Sequence, residues 1–175
     1  MGPFCLMFNK EDYYILGGSA DKKKNIWDKN GKIIKFIEKS KLNACSFIET
    51  TYIDNKPYIL LSGINHSECY DYNNDTMQIY KSKDKYNTHR IANLFKNNNN
   101  LYIISGDEGG NIIIFDFIST KEIITISVGG HIYSLCSLNE KYILVGNNKN
   151  ELKVFDFYNK SIIKNYKAHN NMIMV

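Results

Sequence analysis

Apolar residues along this chain fall into short runs of about four to six, rich in Ile, Val, Tyr and Phe. Gly, Asn and Asp separate these runs. Short β-branched and aromatic runs between turn-forming residues are typical of β-strands joined by tight turns. No helical or heptad period of comparable length competes with this pattern. The sequence therefore predicts an all-β protein.

One sequence unit recurs four times along the chain. In it, an apolar run that ends in glycine is followed, after a turn, by an aromatic residue and an aspartate. The clearest copy is Tyr102 to Gly106, which leads to Phe115-Asp116. The other aromatic-Asp pairs are Trp27-Asp28, Tyr70-Asp71 and Phe155-Asp156. A period of about 40 to 45 residues is typical of repeat architectures and propellers.

Each repeat has room for four strands. In the third repeat the apolar runs are 91–95, 101–105, 112–115 and 122–128, and in the fourth they are 132–138, 142–145, 152–155 and 161–166. The sequence predicts four-stranded antiparallel blades at approximately 3–38, 43–81, 89–128 and 131–167, with 170–175 starting a further blade.

At these residues the chain resembles the WD-repeat family of β-propellers, in which a Gly-His pair precedes the first strand and a Trp-Asp pair closes the third. Trp27-Asp28 keeps the dipeptide, and Tyr or Phe replaces the Trp in the other repeats. Gly130-His131 keeps the opening pair, while His89 and His169 occupy the same place. The resemblance implies one propeller region over 1–175, with about four WD-type repeats in an incomplete ring.

Members of that family often lock a blade through hydrogen bonds among the loop His, a second-strand Ser or Thr, a turn Asp and the Trp. Asp21 fits the turn position of the first repeat. Gly109 and Lys149 occupy that position in the third and fourth repeats, and the second repeat has a shortened turn. His89 could pair with Ser105, but no complete network can be written in any blade.

Apolar packing is therefore expected to hold the blades together. The resemblance places Trp27, Phe115 and Phe155 at equivalent buried positions between neighbouring blades. Four blades do not readily close the seven- or eight-bladed ring common in the family. The outer faces of the first and last blades, lined by residues such as Ile15, Leu16, Ile143 and Leu144, are expected to need cover from further blades or from a second copy.

The formal net charge is +4, and Arg90 is the sole arginine. Because arginine supplies the planar fork that suits phosphates and guanine edges, its scarcity weakens a nucleic-acid interpretation. Cys5, Cys45, Cys69 and Cys136 are far apart and show no metal-ligand spacing. Free thiols, with no signal peptide or membrane span in the sequence, predict an intracellular protein, cytoplasmic or nuclear.

Three functions from different classes remain open. The first is a protein-protein interaction scaffold, implied by the resemblance. The second is a binder of nucleic acid or anionic lipid through lysine-rich loops. The third is an enzyme, which we consider unlikely because no catalytic motif is present. His66 and Cys69 could ligate a metal, but no second pair accompanies them, so no cofactor or metal is predicted.

For the scaffold, the resemblance places one set of loops on a single face of the ring, where loops carry binding residues. The candidate partner-binding residues are Lys22, Lys23, Lys24, Asn65, His66, His89, Arg90, Asp107 and Glu108. Lys81, Lys83 and Lys85 would join the basic residues of this set if the partner were nucleic acid or lipid.

Overall fold

The computed structural model describes residues 4–9, 12–19, 22–84 and 88–167. They form sixteen β-strands. Blade 1 contains β1 (Phe4–Asn9), β2 (Asp12–Gly18), β3 (Lys24–Trp27) and β4 (Ile33–Phe36), and blade 2 contains β5 (Cys45–Ile53), β6 (Lys56–Gly63), β7 (His66–Asp71) and β8 (Thr76–Lys81). Blade 3 contains β9 (His89–Asn97), β10 (Asn100–Asp107), β11 (Asn111–Asp116) and β12 (Glu122–Ser127), and blade 4 contains β13 (Ile132–Ser137), β14 (Tyr142–Asn147), β15 (Glu151–Asp156) and β16 (Ser161–Lys167).

Each blade is one antiparallel sheet whose four strands pair in chain order. Hairpin turns alone connect the strands within a blade, which is why runs of four to nine residues separated by Gly, Asn and Asp suffice to build it. Each of the eight strands predicted in blades 3 and 4 coincides with an observed strand to within two residues at either end. The predicted all-β fold of four-stranded antiparallel blades is confirmed.

The aromatic residue of each repeat occupies the same place in its sheet. Trp27 pairs with Ile15, and Phe115 pairs with Ile103. In the other two blades Tyr70 pairs with Ile59 and Phe155 pairs with Ile143. The register of the second repeat, which the sequence defined least clearly, therefore matches that of the other three.

The aspartate that follows each aromatic residue closes the turn between the third and fourth strands. Each of Asp28, Asp71, Asp116 and Asp156 accepts hydrogen bonds from backbone N–H groups of residues that follow it in the sequence. The donors are Asn30 and Lys32, Asn73 and Asn74, Ser119, and Tyr158 and Asn159, at 2.7 to 3.0 Å. An aspartate side chain can fix such a turn because it replaces a backbone acceptor.

The hydrophobic core lies between blades. Three clusters of buried residues join blade 1 to blade 2, blade 2 to blade 3, and blade 3 to blade 4. Tyr70, Phe115 and Phe155 are each fully buried in the cluster that faces the preceding blade. The expected burial of Phe115 and Phe155 between neighbouring blades is thus confirmed.

Trp27 differs from its counterparts because it is only half-buried. Its ring packs over Gly17, where an added Cβ would lie 2.9 Å from the ring. Trp27 projects from the face of blade 1 that points away from blade 2, and no described blade packs there. The expectation of an equivalent burial was wrong for this position because no described sheet packs on that face.

The innermost strands of consecutive blades contact one another, β1 with β5, β5 with β9 and β9 with β13. Over the described part of the chain, the blades form an arc whose ring is not closed. The two open faces differ in part from the expectation, since Leu16 and Ile143 are buried against blades 2 and 3. Side chains alternate along a strand, so the neighbours Ile15 and Leu144 lie on the open faces, where they are half-buried.

Candidate functional site

The segments that link one blade to the next meet the turns between second and third strands at one end of the blades. We call this end the linker face. Backbone hydrogen bonds join the two kinds of segment at 2.8 to 3.1 Å, from Glu108 to Thr88, from Val128 and Gly129 to Gly110, and from Asn148 to His131. The expected grouping of these loops is therefore observed around blades 3 and 4, and an isolated bridge between Ile64 and Thr88 extends it to blade 2.

The candidate binding residues fall into two groups on this face. Lys22, Lys23 and Asn65 are exposed, and Arg90 and Glu108 are half-buried. The others have buried side chains: Lys24, His66, His89 and Asp107. Burial removes Lys24, His89 and Asp107 from the surface that a partner protein could touch, which corrects the expectation for these three.

The buried side chains of Lys24 and Asp107 form hydrogen bonds with backbone groups of the loops. Lys24 Nζ donates to the carbonyl oxygen of Lys22, 3.2 Å away, and to that of Leu42 in the linker between blades 1 and 2. Asp107 accepts both the backbone N–H and the side-chain amide of Asn111, at 2.7 and 2.9 Å. Both side chains therefore fix loops instead of projecting from them.

Asn147 closes the corresponding turn in blade 4. Its side-chain oxygen accepts the backbone N–H of Lys149 at 3.0 Å and that of Glu151 at 3.2 Å. The family pattern placed the residue that fixes this turn at the positions of Gly109 and Lys149. The residues that fix it, Asp107 and Asn147, each lie two positions earlier. Asp21, the candidate in blade 1, lies outside the described residues, as does His169.

Arg90 and Glu108 form an ion pair on the linker face. Arg90 Nη2 donates to Glu108 Oε1, and the side chains are 39% and 35% exposed. A carboxylate that already neutralises the guanidinium reduces its attraction for phosphate groups. The pair leaves a half-exposed polar spot on the linker face.

His89 lies at the centre of a buried hydroxyl cluster. Its Nδ1 is 3.0 Å from both Ser67 Oγ and Ser105 Oγ, so the predicted pairing with Ser105 is confirmed. Ser105 Oγ donates to the backbone oxygen of Ile91, and Ser67 Oγ lies 3.0 Å from Ser62 Oγ. Blades 2 and 3 are therefore joined by polar contacts as well as by apolar packing.

Burial lowers the pKa of His89 from 6.5 to about 4, with a smaller contribution from His66 nearby. Its Nε2 has no hydrogen-bond partner among the described residues. The Ser–His contact is fully buried and lacks a carboxylate on Nε2, so it does not have the geometry of a nucleophile activated by an oriented base. The cluster is a structural contact between blades.

His131 was expected to repeat the role of His89, but its side chain is exposed. The strand position that corresponds to Ser105 is Val145 in blade 4, which has no hydroxyl group to bond a histidine. Only the backbone of His131 takes part, since its N–H donates to Asn148 Oδ1 at 2.9 Å. The structural role proposed for this side chain is therefore wrong.

Sequence reasoning missed a buried carboxylate next to His66. Glu68 is fully buried and accepts three hydrogen bonds, from Ser40 Oγ at 2.5 Å, Lys41 N–H at 2.6 Å and His66 Nε2 at 3.0 Å. Burial raises the pKa of Glu68, but these hydrogen bonds outweigh it and the net shift is downward. The only sequence signal was a glutamate inside an otherwise buried strand.

Metal and thiol chemistry find no support in the parts of the chain that the structure describes. No group of three or more His, Cys, Asp or Glu residues there is arranged to hold a metal ion. His66 and Cys69 are three positions apart on β7 and therefore point to opposite faces of the sheet. The four cysteines are unpaired, as expected. The described residues include no helix that could cross a membrane.

Four-stranded antiparallel blades in succession, with an aromatic-Asp pair ending each third strand, have the architecture of a β-propeller. No protein-family model matches the chain, and no curated protein matches it in sequence. Among solved structures, the β-propeller domain of Cps50 (Swd1) from Myceliophteria thermophila is similar to it, with a TM-score of 0.79 over 99% of this chain at 14% identity. The chain spans 58% of the length of that domain. The resemblance inferred from the sequence is thus confirmed for the fold.

Proposed function

We propose that this chain is a non-catalytic scaffold that binds other proteins through the linker face. The observation that carries this proposal is the set of exposed side chains, Lys22, Lys23 and Asn65, on loops whose neighbours are fixed by hydrogen bonds to the blades. A loop whose backbone is already held in place loses little backbone entropy when it binds a partner. The fold supports this role but does not by itself specify it.

Binding of nucleic acid or anionic lipid is less well supported. Lys24 is buried, and Arg90 is paired with Glu108. Lys83 Nζ lies 3.8 Å from Glu122 Oε1. These contacts occupy three of the basic residues named in the sequence, whereas binding along a polyanion requires an unbroken set of phosphate contacts.

Reversing the charge of Lys22 and Lys23 together is expected to weaken capture of a protein partner without changing the melting temperature. Both side chains are exposed, so their loss removes surface contacts and not packing. The matched control reverses Lys32 and Lys56, exposed lysines in turns at the opposite end of the blades. Affinity-capture experiments with wild-type and variant chains, quantified by mass spectrometry, provide the measurement. Equal recovery of all partners by both variants would remove this patch from the proposal.

Self-association through the two open faces is a second proposal. The open face of blade 1 carries Trp27 and Phe36, and that of blade 4 carries Leu152, Val154 and Tyr166. Phe36 and Tyr166 are 51% and 47% exposed. Covering apolar surface contributes roughly 25 cal/mol per Å², so contact between the two faces would be favourable. A second copy that meets both faces in head-to-tail fashion would supply the missing neighbours.

The isolated 175-residue chain is therefore expected to sediment as an oligomer at micromolar concentration, and Val154→Glu is expected to shift it towards monomer. Ile118→Glu serves as the control, because Ile118 is 85% exposed in a turn and not on an open face. Analytical ultracentrifugation of the three chains decides the outcome. A wild-type chain that stays monomeric and binds no hydrophobic dye would contradict the proposal.

A further inference from the structure

A pocket of about 430 Å³ opens on the linker face next to blade 2. It is lined by Lys41, Asn65, His66, Lys81 and Ser82. Two of these side chains are ammonium groups, one is an imidazole, and the other two offer an amide and a hydroxyl as donors. Among the described residues, no carboxylate lines the pocket. This lining suits an anion that accepts several hydrogen bonds.

Glu68 holds the wall of this pocket in place. It accepts the backbone N–H of Lys41, which brings the linker between blades 1 and 2 against β7. It also bonds Nε2 of His66 and so fixes the plane of the ring. The pocket is therefore built by a buried polar network, which is rigid when all its members are satisfied.

His66 contributes the buried polar group of the site. The residue is 8% exposed, and its contact with Glu68 occupies only Nε2. Nδ1 is bonded by no described residue, and the residue lines the pocket.

The two lysines of the pocket are exposed, and neither forms an ion pair within the described residues. Their neighbours on this face differ, since Lys83 is paired with Glu122 and Arg90 with Glu108. On the linker face of blade 2, the two described lysines without an ion pair thus line one recess. A single compact dianion matches this distribution better than a membrane surface, which needs several free cations in one plane.

We propose that this pocket binds a phosphomonoester, presented by a phosphorylated serine or threonine side chain of a partner protein. A phosphorylated side chain carries close to two negative charges and three acceptor oxygens, which two ammonium groups and neutral donors can satisfy. Exposed Ile64, adjacent to Asn65, offers apolar contact to the flanking peptide. The inference rests on the proposed scaffold function and names the chemistry that its partner would carry.

The test uses the full chain and a bead-bound peptide library with one fixed phosphoserine and randomised flanks, compared with the same library carrying serine. We expect retention on the phosphoserine library only. The double variant Lys41→Gln, Lys81→Gln is expected to lower the affinity of a selected phosphopeptide at least about tenfold. Lys56→Gln, an exposed lysine at the opposite end of the same blade, is expected to leave it unchanged. Melting curves establish that both variants fold.

Equal retention on both libraries, or unchanged affinity in the double variant, would overturn the proposal. Binding to phosphatidylinositol-phosphate vesicles without binding to phosphopeptides would assign the pocket to a membrane instead. Saturation by inorganic phosphate alone, with no phosphopeptide retained, would reduce it to a site for free phosphate. If phosphopeptide binding fails while capture dependent on Lys22 and Lys23 persists, the scaffold function stands without this site. Failure of both would reject the scaffold function as well.

Discussion

Replacing Phe115 with alanine is expected to lower the free energy of unfolding by about 3 to 5 kcal/mol. The ring is fully buried in the cluster between blades 2 and 3. It packs edge-on against Tyr80 with the ring centres 5.7 Å apart, and its centre lies 6.1 Å from that of His89. Because neighbours on both sides are held in their own sheets, they cannot move in to fill the cavity.

Ile118→Ala is the matched control for this prediction. Ile118 is 85% exposed in a turn away from the open faces, so truncation to alanine there is expected to cost less than about 1 kcal/mol. Denaturant melts of the three chains give the comparison, provided that they are run at concentrations where association is equal. A loss below 1 kcal/mol for Phe115→Ala would show that the aromatic position does not carry the contact between blades.

Acidification is expected to destabilise the chain through His89 in a defined window. The folded-state pKa is about 4 and the ordinary value is 6.5. Because the unfolded chain binds the proton more readily, stability is fully present above pH 6.5 and is lost as the pH falls towards 4. The difference between these two pKa values corresponds to about 3 kcal/mol of folding stability. Carboxylates such as Glu151 affect stability at lower pH. The pKa of Glu151 is lowered to about 2, chiefly by its bond with Asn147, so its stabilisation is lost between pH 4.5 and 2.

His89→Gln provides the comparison. The variant is expected to be less stable at neutral pH, since the glutamine does not reproduce the contacts with Ser67 and Ser105. Its stability should nevertheless change less between pH 6.5 and 4 than that of the wild type, because the titrating group is absent. Chemical denaturation across this range measures both slopes. Parallel slopes in the two chains would show that His89 is not the source of the acid sensitivity.

The strands, their order and their register could be predicted because they depend on local chemistry that repeats. Glycine at or next to the end of each second strand and the aromatic-Asp pair at the end of each third strand recur in every blade, nine residues apart in blades 1, 3 and 4 and seven apart in blade 2. The aspartate acts on residues two to four positions away, so its effect is contained in the sequence. Local signals of this kind do not require knowledge of what packs on the sheet.

The candidate surface was predicted less well because burial depends on segments distant in sequence. Lys24 is buried by the linker that carries Leu42, and Glu68 is fixed by Ser40 and Lys41 from the same linker. Nothing near Lys24 along the chain distinguishes it from exposed Lys22 and Lys23. The pocket beside His66 was missed for the same reason, since its lining comes from three separate segments.

Each core cluster belongs to two blades, and this has a consequence for how such repeats diverge. Tyr70, for example, packs against side chains of the preceding blade. Each boundary therefore sets its own requirement for the size and shape of the aromatic residue, because Tyr70, Phe115 and Phe155 meet three different sets of neighbours. This means that transplanting a blade from another propeller requires matching its neighbours, even where the strands and turns align perfectly.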